Sequence, residues 1–196
     1  MLVCAFFRER NLSVNVSINC TLLLATTTSG TTQTGMARAP RVHDGLEQLE
    51  QLITEKMPIT QHLQFTLSTG EGEEIIASAP LKANLNHMGS AFGGSISMLT
   101  TLTGWAMAHT LLDEMRHQAQ IIIQESDIEY LQPIRDDLRV ICERPEESAV
   151  ERFHQMLDRW GRARLELKCK IYEAGDRAVT FIGQYVALAD EYRSES

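Results

Sequence analysis

Apolar residues recur every three or four positions at Leu46, Leu49, Leu52, Ile53 and Met57, which predicts one helix with a single buried face, opened at Asp44 and closed by Pro58. The period then drops to two. Leu63, Phe65 and Leu67 alternate with polar residues between His62 and Ser68, a predicted strand. Gly70-Glu71-Gly72 turns the chain, and Glu74 to Ala79 returns as a second strand that stops at Pro80. Between Lys82 and Asp113 there is no Asp, Glu, Lys or Arg, in a chain that is 22% charged. A helix without a polar side is buried all round or spans a membrane. The hydroxyls and imidazole of Ser95, Ser97, Thr100, Thr101, Thr103, His109 and Thr110, with flanks that lack a Lys/Arg bias, weigh against the span. A core helix is expected, preceded by a polar, glycine-rich loop. Gly93-Gly94 sits at their junction, where bare backbone can approach a ligand.

Gln118 to Leu131 predicts a long strand with a buried middle at Ile121-Ile122-Ile123. Leu138 to Glu143 predicts another, inward-facing at Leu138, Val140 and Cys142. Pro145-Glu146-Glu147 opens a short helix with Val150, Phe153 and Leu157 on one face, and Gly161 ends it. Arg162 to Tyr172 alternates without a break, with Ala163, Leu165, Leu167, Cys169 and Ile171 on one side and mostly charge on the other. After the turn at Gly175-Asp176, Ala178 to Leu188 is the last strand. A helix with no polar side has to be covered on every side, and a strongly curved antiparallel sheet does this. The predicted class is α+β, with five or six strands wrapped around one long central helix.

The length of 196 residues suits one domain. Residues 1–40 do not read as part of it. They hold one acidic residue, Glu9, a Thr-rich run from Thr21 to Thr34, and N-x-[ST] triplets at Asn11, Asn15 and Asn19 that matter only in a secreted chain. Leu22-Leu23-Leu24-Ala25 is too short for a secretory apolar region. The expected organisation is a disordered or spurious leader over 1–40 with Met36 as the true start, a folded domain over 41–190 and a tail over 191–196. A net charge of −8 argues against a nucleic-acid groove, which needs a basic stripe. Cys4, Cys20, Cys142 and Cys169 form no C-x-x-C pair and no His/Cys cluster, so no metal site is expected. Cys142 and Cys169 fall at inward strand positions, as buried free thiols of a reducing, cytoplasmic compartment do.

The run Asn86-His87-Met88-Gly89-Ser90-Ala91-Phe92-Gly93-Gly94-Ser95, followed by Gly104-Trp105, resembles the hot-dog thioesterase domain found at the C-terminus of YiiD-type proteins. Ser126-Asp127-Ile128-Glu129-Tyr130-Leu131-Gln132-Pro133-Ile134 is similar to that family's next strand. Gly161-Arg162-Ala163-Arg164 and Phe181-Ile182-Gly183-Gln184-Tyr185-Val186-Ala187 are similar to its last two. The likeness runs over about residues 45–190. It implies a hot-dog fold, a homodimer or a tetramer of such dimers joined sheet edge to sheet edge, and sites for acyl-coenzyme A or acyl-carrier-protein thioesters at the subunit interface. Hot-dog thioesterases at large place an Asn, then His-Gly-Gly, then an acid nine residues after that His. Asn86 matches the Asn and Gly93-Gly94 the glycines, whereas Phe92 stands in place of the His and Thr101 in place of the acid. The usual carboxylate is absent at that position, as is the acid/base pair that a dehydratase needs.

Thioester hydrolysis requires a polarised carbonyl and an activated water. The N–H of Gly94 at a helix start can polarise the carbonyl with help from the helix dipole; the alternative is that Gly93-Gly94 only permits tight packing. Asn86 can hold the water or the thioester oxygen, or make an Asx turn, and Asn84 poses the same choice. His87 can serve as a base near neutral pH or lie on the surface. The Thr101 hydroxyl can orient a water or bond back one helical turn. Phe92 and Gly93 are expected against the substrate. Ser126 matches the family's serine, on the face opposite Glu125 and Asp127, the nearest carboxylates in sequence. Arg162 and Arg164 point the same way and can meet the phosphates of coenzyme A or a carrier arm. Met98, Leu102 and Trp105 read as core that can double as acyl pocket. No G-x-S-x-G elbow is present, and no cofactor is called for. The expected function is acyl-thioester hydrolysis with Gly94, Asn86 and Thr101 as catalytic residues. The alternative is a module that binds acyl thioesters without cleaving them, as the partner of an acyltransferase.

Overall fold

The charge-free stretch forms all but the last two residues of one long helix, α2 (Gly93–Glu114), and the other elements are arranged around it. The structure, a computed structural model, describes residues 43–189; the leader and tail expected from the sequence lie outside them. Helix α1 (His43–Lys56) buries Leu46, Leu49 and Ile53, the face its periodicity predicts. Six strands follow: β1 (Thr66–Thr69), β2 (Ile75–Ala79), β3 (Ala119–Tyr130), β4 (Leu138–Cys142), β5 (Arg162–Glu173) and β6 (Asp176–Ala189). They form one antiparallel, curved sheet in the order β1-β2-β4-β5-β6-β3, whose inner side packs on α2. A third helix, α3 (Glu147–Trp160), joins β4 to β5. It ends where Gly161 adopts a left-handed conformation (φ 62°) and donates its N–H to the Leu157 carbonyl.

Burial on β5 alternates along its whole length, as its sequence alternates. Cys142 and Cys169 face each other across β4 and β5, both fully buried and both free thiols. The Cys169 thiol is pushed up in pKa by its hydrogen bond with Cys142 and by burial, which keeps it protonated and unreactive. No helix among the described residues is long and apolar enough to cross a membrane.

Three expectations differ from the structure. The strand expected from His62 to Ser68 shrinks to Thr66–Thr69, because Pro58 starts a 3-10 helix (Pro58–Leu63) and Gln64 turns left-handed (φ 55°). Leu63, Phe65 and Leu67 are buried all the same. The middle of β3 is not buried: Ile122 is 49% and Ile123 37% exposed, because β3 is an edge strand that pairs, among the described residues, only with β6. Nor is α2 covered on every side. Gly94, Ser97, Met98, Thr101 and Trp105, spaced three or four residues apart, form a stripe that the sheet leaves partly open.

Candidate active site

The loop that leads into α2 is built by its two asparagines. Asn84 is buried, and its side-chain NH2 donates to the carbonyls of Leu63 (3.0 Å) and Pro80 (2.9 Å). Its backbone carbonyl accepts the N–H of Phe92 at 2.7 Å. The side-chain oxygen of Asn86 accepts the N–H groups of Met88 (2.8 Å) and Ser90 (3.2 Å), and its NH2 donates to Ser90 Oγ (2.9 Å) and the Ala91 carbonyl (3.3 Å). Both side chains therefore hold the loop, and Asn86 forms the Asx turn that was one of its two readings. Ala91 is tied to the Ile134 carbonyl (2.8 Å). These bonds fix the direction in which residues 92–94 enter the helix.

At that point the first turn of α2 is uncapped. Phe92 stands at the N-cap position without a side-chain cap bond, and no acidic residue lies in the first turn. The N–H groups of Gly93, Gly94 and Ser95 make no hydrogen bond among the described residues; Ile96 is the first to bond, to the Phe92 carbonyl at 3.0 Å. Free amides at the positive end of a 22-residue helix form a ready donor set for an oxyanion. A Cβ on Gly94 would come within 2.3 Å of the Phe92 ring, an exposed side chain that would have to swing aside.

The open stripe of α2 forms one wall of a cleft of about 670 Å³. Ile121, Ile122 and Ile123 line it from β3, Tyr185 from β6, and Met57, Ile59 and Thr60 from the chain just before β1. Gly94 and Thr101 are thereby brought into one cavity. Thr100, Thr103 and Thr110 return their hydroxyls to the carbonyls of Ile96 (3.0 Å), Leu99 (2.6 Å) and Ala106 (3.0 Å). Thr101 makes no such bond among the described residues, so its hydroxyl remains available to a molecule in the cleft. Among the described residues, no Asp, Glu or His lines the cavity.

The other sequence candidates lie elsewhere. Ile123 pairs with Tyr185 and Glu125 with Gln184, so Gln124 is an extra residue, a bulge. The bulge inverts the side on which odd positions fall. Ser126 pairs with buried Gly183 and faces inward, whereas Glu125 and Asp127 face outward with Gln184 and Ile182, away from α2. Arg162 and Arg164 pair with Leu188 and Val186 on that same outer face, and Arg164 also lines a separate cavity between α3 and β5. His87 is exposed. Ser126, Asn84, Asn86 and His87 do not line the cleft. Conversely, sequence reasoning missed Tyr185, Ile59 and Met57. The signal for Tyr185 was the pair of glycines around it: a Cβ on Gly104 would lie 2.3 Å from its hydroxyl, and one on Gly183 2.7 Å from its ring.

A curved antiparallel sheet around one largely apolar helix, with an apolar cleft along that helix and free amides at its start, defines a hot-dog protein. Within that class the chain belongs to the family described as "Putative thioesterase (yiiD_Cterm)", which matches residues 46–189. A solved structure of a protein of unknown function from Chlorobaculum tepidum TLS is similar at a TM-score of 0.73 and 27% identity, over 76% of this chain and 96% of that one. A thioesterase from Shewanella oneidensis, itself so described only putatively, is similar at 0.68 and 27%, over 75% and 99%. A probable thioesterase from Pseudomonas aeruginosa shares the fold at 0.63 and 22% identity, over 73% and 95%.

Proposed function

We propose that the chain is a homodimeric acyl-thioesterase acting on acyl-coenzyme A or acyl-carrier-protein. The observation that carries this reading is that one apolar cleft is lined by both Gly94 and Thr101, whose N–H and hydroxyl respectively make no hydrogen bond among the described residues. Gly94 donates to the thioester oxygen as negative charge grows there. Thr101 orients a water whose oxygen attacks the carbonyl carbon; the C–S bond breaks, and the sulfur leaves as a thiol carrying a proton from that water. Asn86 acts as a positioning residue, through the loop that aims Gly94.

Within one chain Gly94 and Thr101 are about 10 Å apart along the helix axis at a rise of 1.5 Å per residue, too far to serve one carbonyl. A twofold partner answers this by setting Thr101 of one copy against Gly94 of the other. The outer edge of β3, exposed over most of its length, is the surface on which two sheets would join. A cytoplasmic setting belongs to the same proposal and is supported by the buried, reduced Cys142 and Cys169.

That no described carboxylate or imidazole lines the cleft favours a second reading, an acyl-thioester binding module that does not hydrolyse its ligand. A free-thiol release assay decides between them. Release that falls at least tenfold in Thr101→Val supports hydrolysis. Tight binding of acyl-coenzyme A or acyl-carrier-protein without thiol release selects the binding module.

A further inference from the structure

The N–H that the proposed chemistry needs belongs to the peptide group between Gly93 and Gly94. Glycine on both sides leaves the rotations that flank this group free of side-chain hindrance. It also lies in the first turn of α2, and helix ends fray. Tyr130 holds it. The Tyr130 hydroxyl donates to the Gly93 carbonyl (3.1 Å), and its ring lies 3.8 Å from where a Cβ on Gly93 would stand, an ordinary van der Waals contact. A carbonyl oxygen has two lone pairs, so it can accept from Tyr130 as well as from the amide one helical turn on. Tyr130 reaches α2 because of the bulge at Gln124. Past the bulge, Ile128 and Tyr130 stand opposite buried Phe181 and Val179 and face inward with them; under strict alternation Tyr130 would point away from the helix. The Trp105 indole N–H donates to the Ile121 carbonyl (3.2 Å), so the strand that carries Tyr130 is tied to α2 a second time.

We infer that Tyr130 is a positioning residue, whose hydroxyl fixes and polarises the Gly93–Gly94 peptide group so that the Gly94 N–H can serve as oxyanion donor; this rests on the thioester reading above. A trans peptide group is planar, with its C=O and N–H pointing opposite ways, so a bond that holds the one aims the other. The same bond draws electron density towards the Gly93 oxygen and makes the Gly94 N–H a stronger donor, as successive hydrogen bonds in a chain polarise one another. Tyr130 does not itself line the cleft, so it acts through the peptide.

Tyr130→Phe keeps the ring and removes only the hydroxyl, at a half-exposed position. In the ligand-free chain, isotopically labelled at glycine, the Gly94 amide proton should move upfield in the variant, as that of a donor whose own peptide has lost a hydrogen bond. The amide of Gly161, whose carbonyl is bonded to Ala189 at the opposite end of β6, should stay in place. In free-thiol release from hexanoyl-coenzyme A, kcat should fall about three- to tenfold, the worth of one neutral hydrogen bond, with KM within about twofold. A Gly94 proton that does not move, an unchanged kcat in a protein that does release thiol, or a partly unfolded variant overturns the inference. A wild-type protein that releases no thiol sinks hydrolysis alone. Binding then replaces kcat: Tyr130→Phe should weaken hexanoyl-coenzyme A at least about threefold and leave S-hexyl coenzyme A, a thioether without the carbonyl oxygen, unchanged. Equal loss on both ligands, loss on neither, or no binding of either overturns the inference.

Discussion

Thr100, Thr103 and Thr110 send their hydroxyls back to helix carbonyls, whereas Thr101, on the stripe between Gly94 and Trp105, keeps its own free. Thr101→Val preserves shape and removes only the hydroxyl. It is expected to lower kcat about 10- to 100-fold, the worth of one or two hydrogen bonds, and to leave the melting temperature within a few degrees. Unchanged kcat in a thiol-release assay would remove Thr101 from the chemistry. Asn86→Ala should behave differently: it strips four hydrogen bonds from the loop, so it is expected to cost about 1–3 kcal/mol and to raise KM as well as lower kcat. From sequence, Asn86 could be read equally as ligand contact or turn former, since both need the same amide. Its partners, Met88, Ser90 and Ala91, are what separate the two.

His154 supplies a pH test. It is buried against Phe153 and stacked on His117 at 5.9 Å, and its Nδ1 has no partner among the described residues. Burial, followed by the neighbouring His117 and the more distant Arg144, lowers its pKa; Glu114 and Asp158 oppose this. The unfolded chain therefore takes up the proton first as pH falls. This contribution to stability is whole above about pH 6.5 and declines below it towards the folded-state pKa, at no more than about 1.4 kcal/mol per pH unit. Thermal melts between neutral and mildly acidic pH should show the decline, and His154→Phe should flatten it.

At the scale of elements, α2 and β3 are the two whose sequences promise one thing and whose surroundings make another. The composition of α2 shows that no face is built for bulk water, but an apolar cleft wall and a core face are made of the same residues. Only the strands that reach α2, and those that stop short, distinguish Met98 and Trp105 from Leu99 and Ala106. On β3 strict alternation would put Ile121, Ile123, Glu125 and Asp127 on one face. The bulge at Gln124 resolves that conflict by turning the carboxylates outward, where water solvates them. The meeting of α2 and β6 rests on Gly104 and Tyr185. Gly104→Ala places a methyl against the Tyr185 ring and hydroxyl, both buried, and should cost about 1–3 kcal/mol in urea unfolding. In combination with Tyr185→Leu the cost should be less than the sum of the two single changes.

For the molecule as a whole, the decisive surface is the outer edge of β3. It offers a 12-residue strand with Ile122 and Ile123 exposed and, among the described residues, no neighbour on that side. A free edge of this length invites another chain unless something blunts it. Sedimentation equilibrium is expected to give twice the 22.0 kDa chain mass. Ile122→Lys combined with Ile123→Lys should weaken self-association at least tenfold, through charge repulsion across a symmetric seam; because both residues also line the cleft, sedimentation is the measurement that reads this variant. A fully active monomer would refute the shared site.

The sequence by itself determined the elements and their faces. Periods of two and of three to four residues record which side chains leave water, and the uncharged run between Lys82 and Asp113 required a sheet to wrap it. It also placed Gly94 at a helix start, since glycine pairs and caps act over a few neighbouring residues. Tertiary structure alone decided which strand stands at the edge, where β3 slips by one residue, which threonine hydroxyl is left without a partner among the described residues, and that Trp105 and Tyr185 line the same cleft. Each of these depends on contacts between residues far apart in the chain, such as Trp105 with Ile121 and Tyr185 with Thr101. A local pattern carries the free energy of leaving water but not the identity of the neighbour that takes water's place.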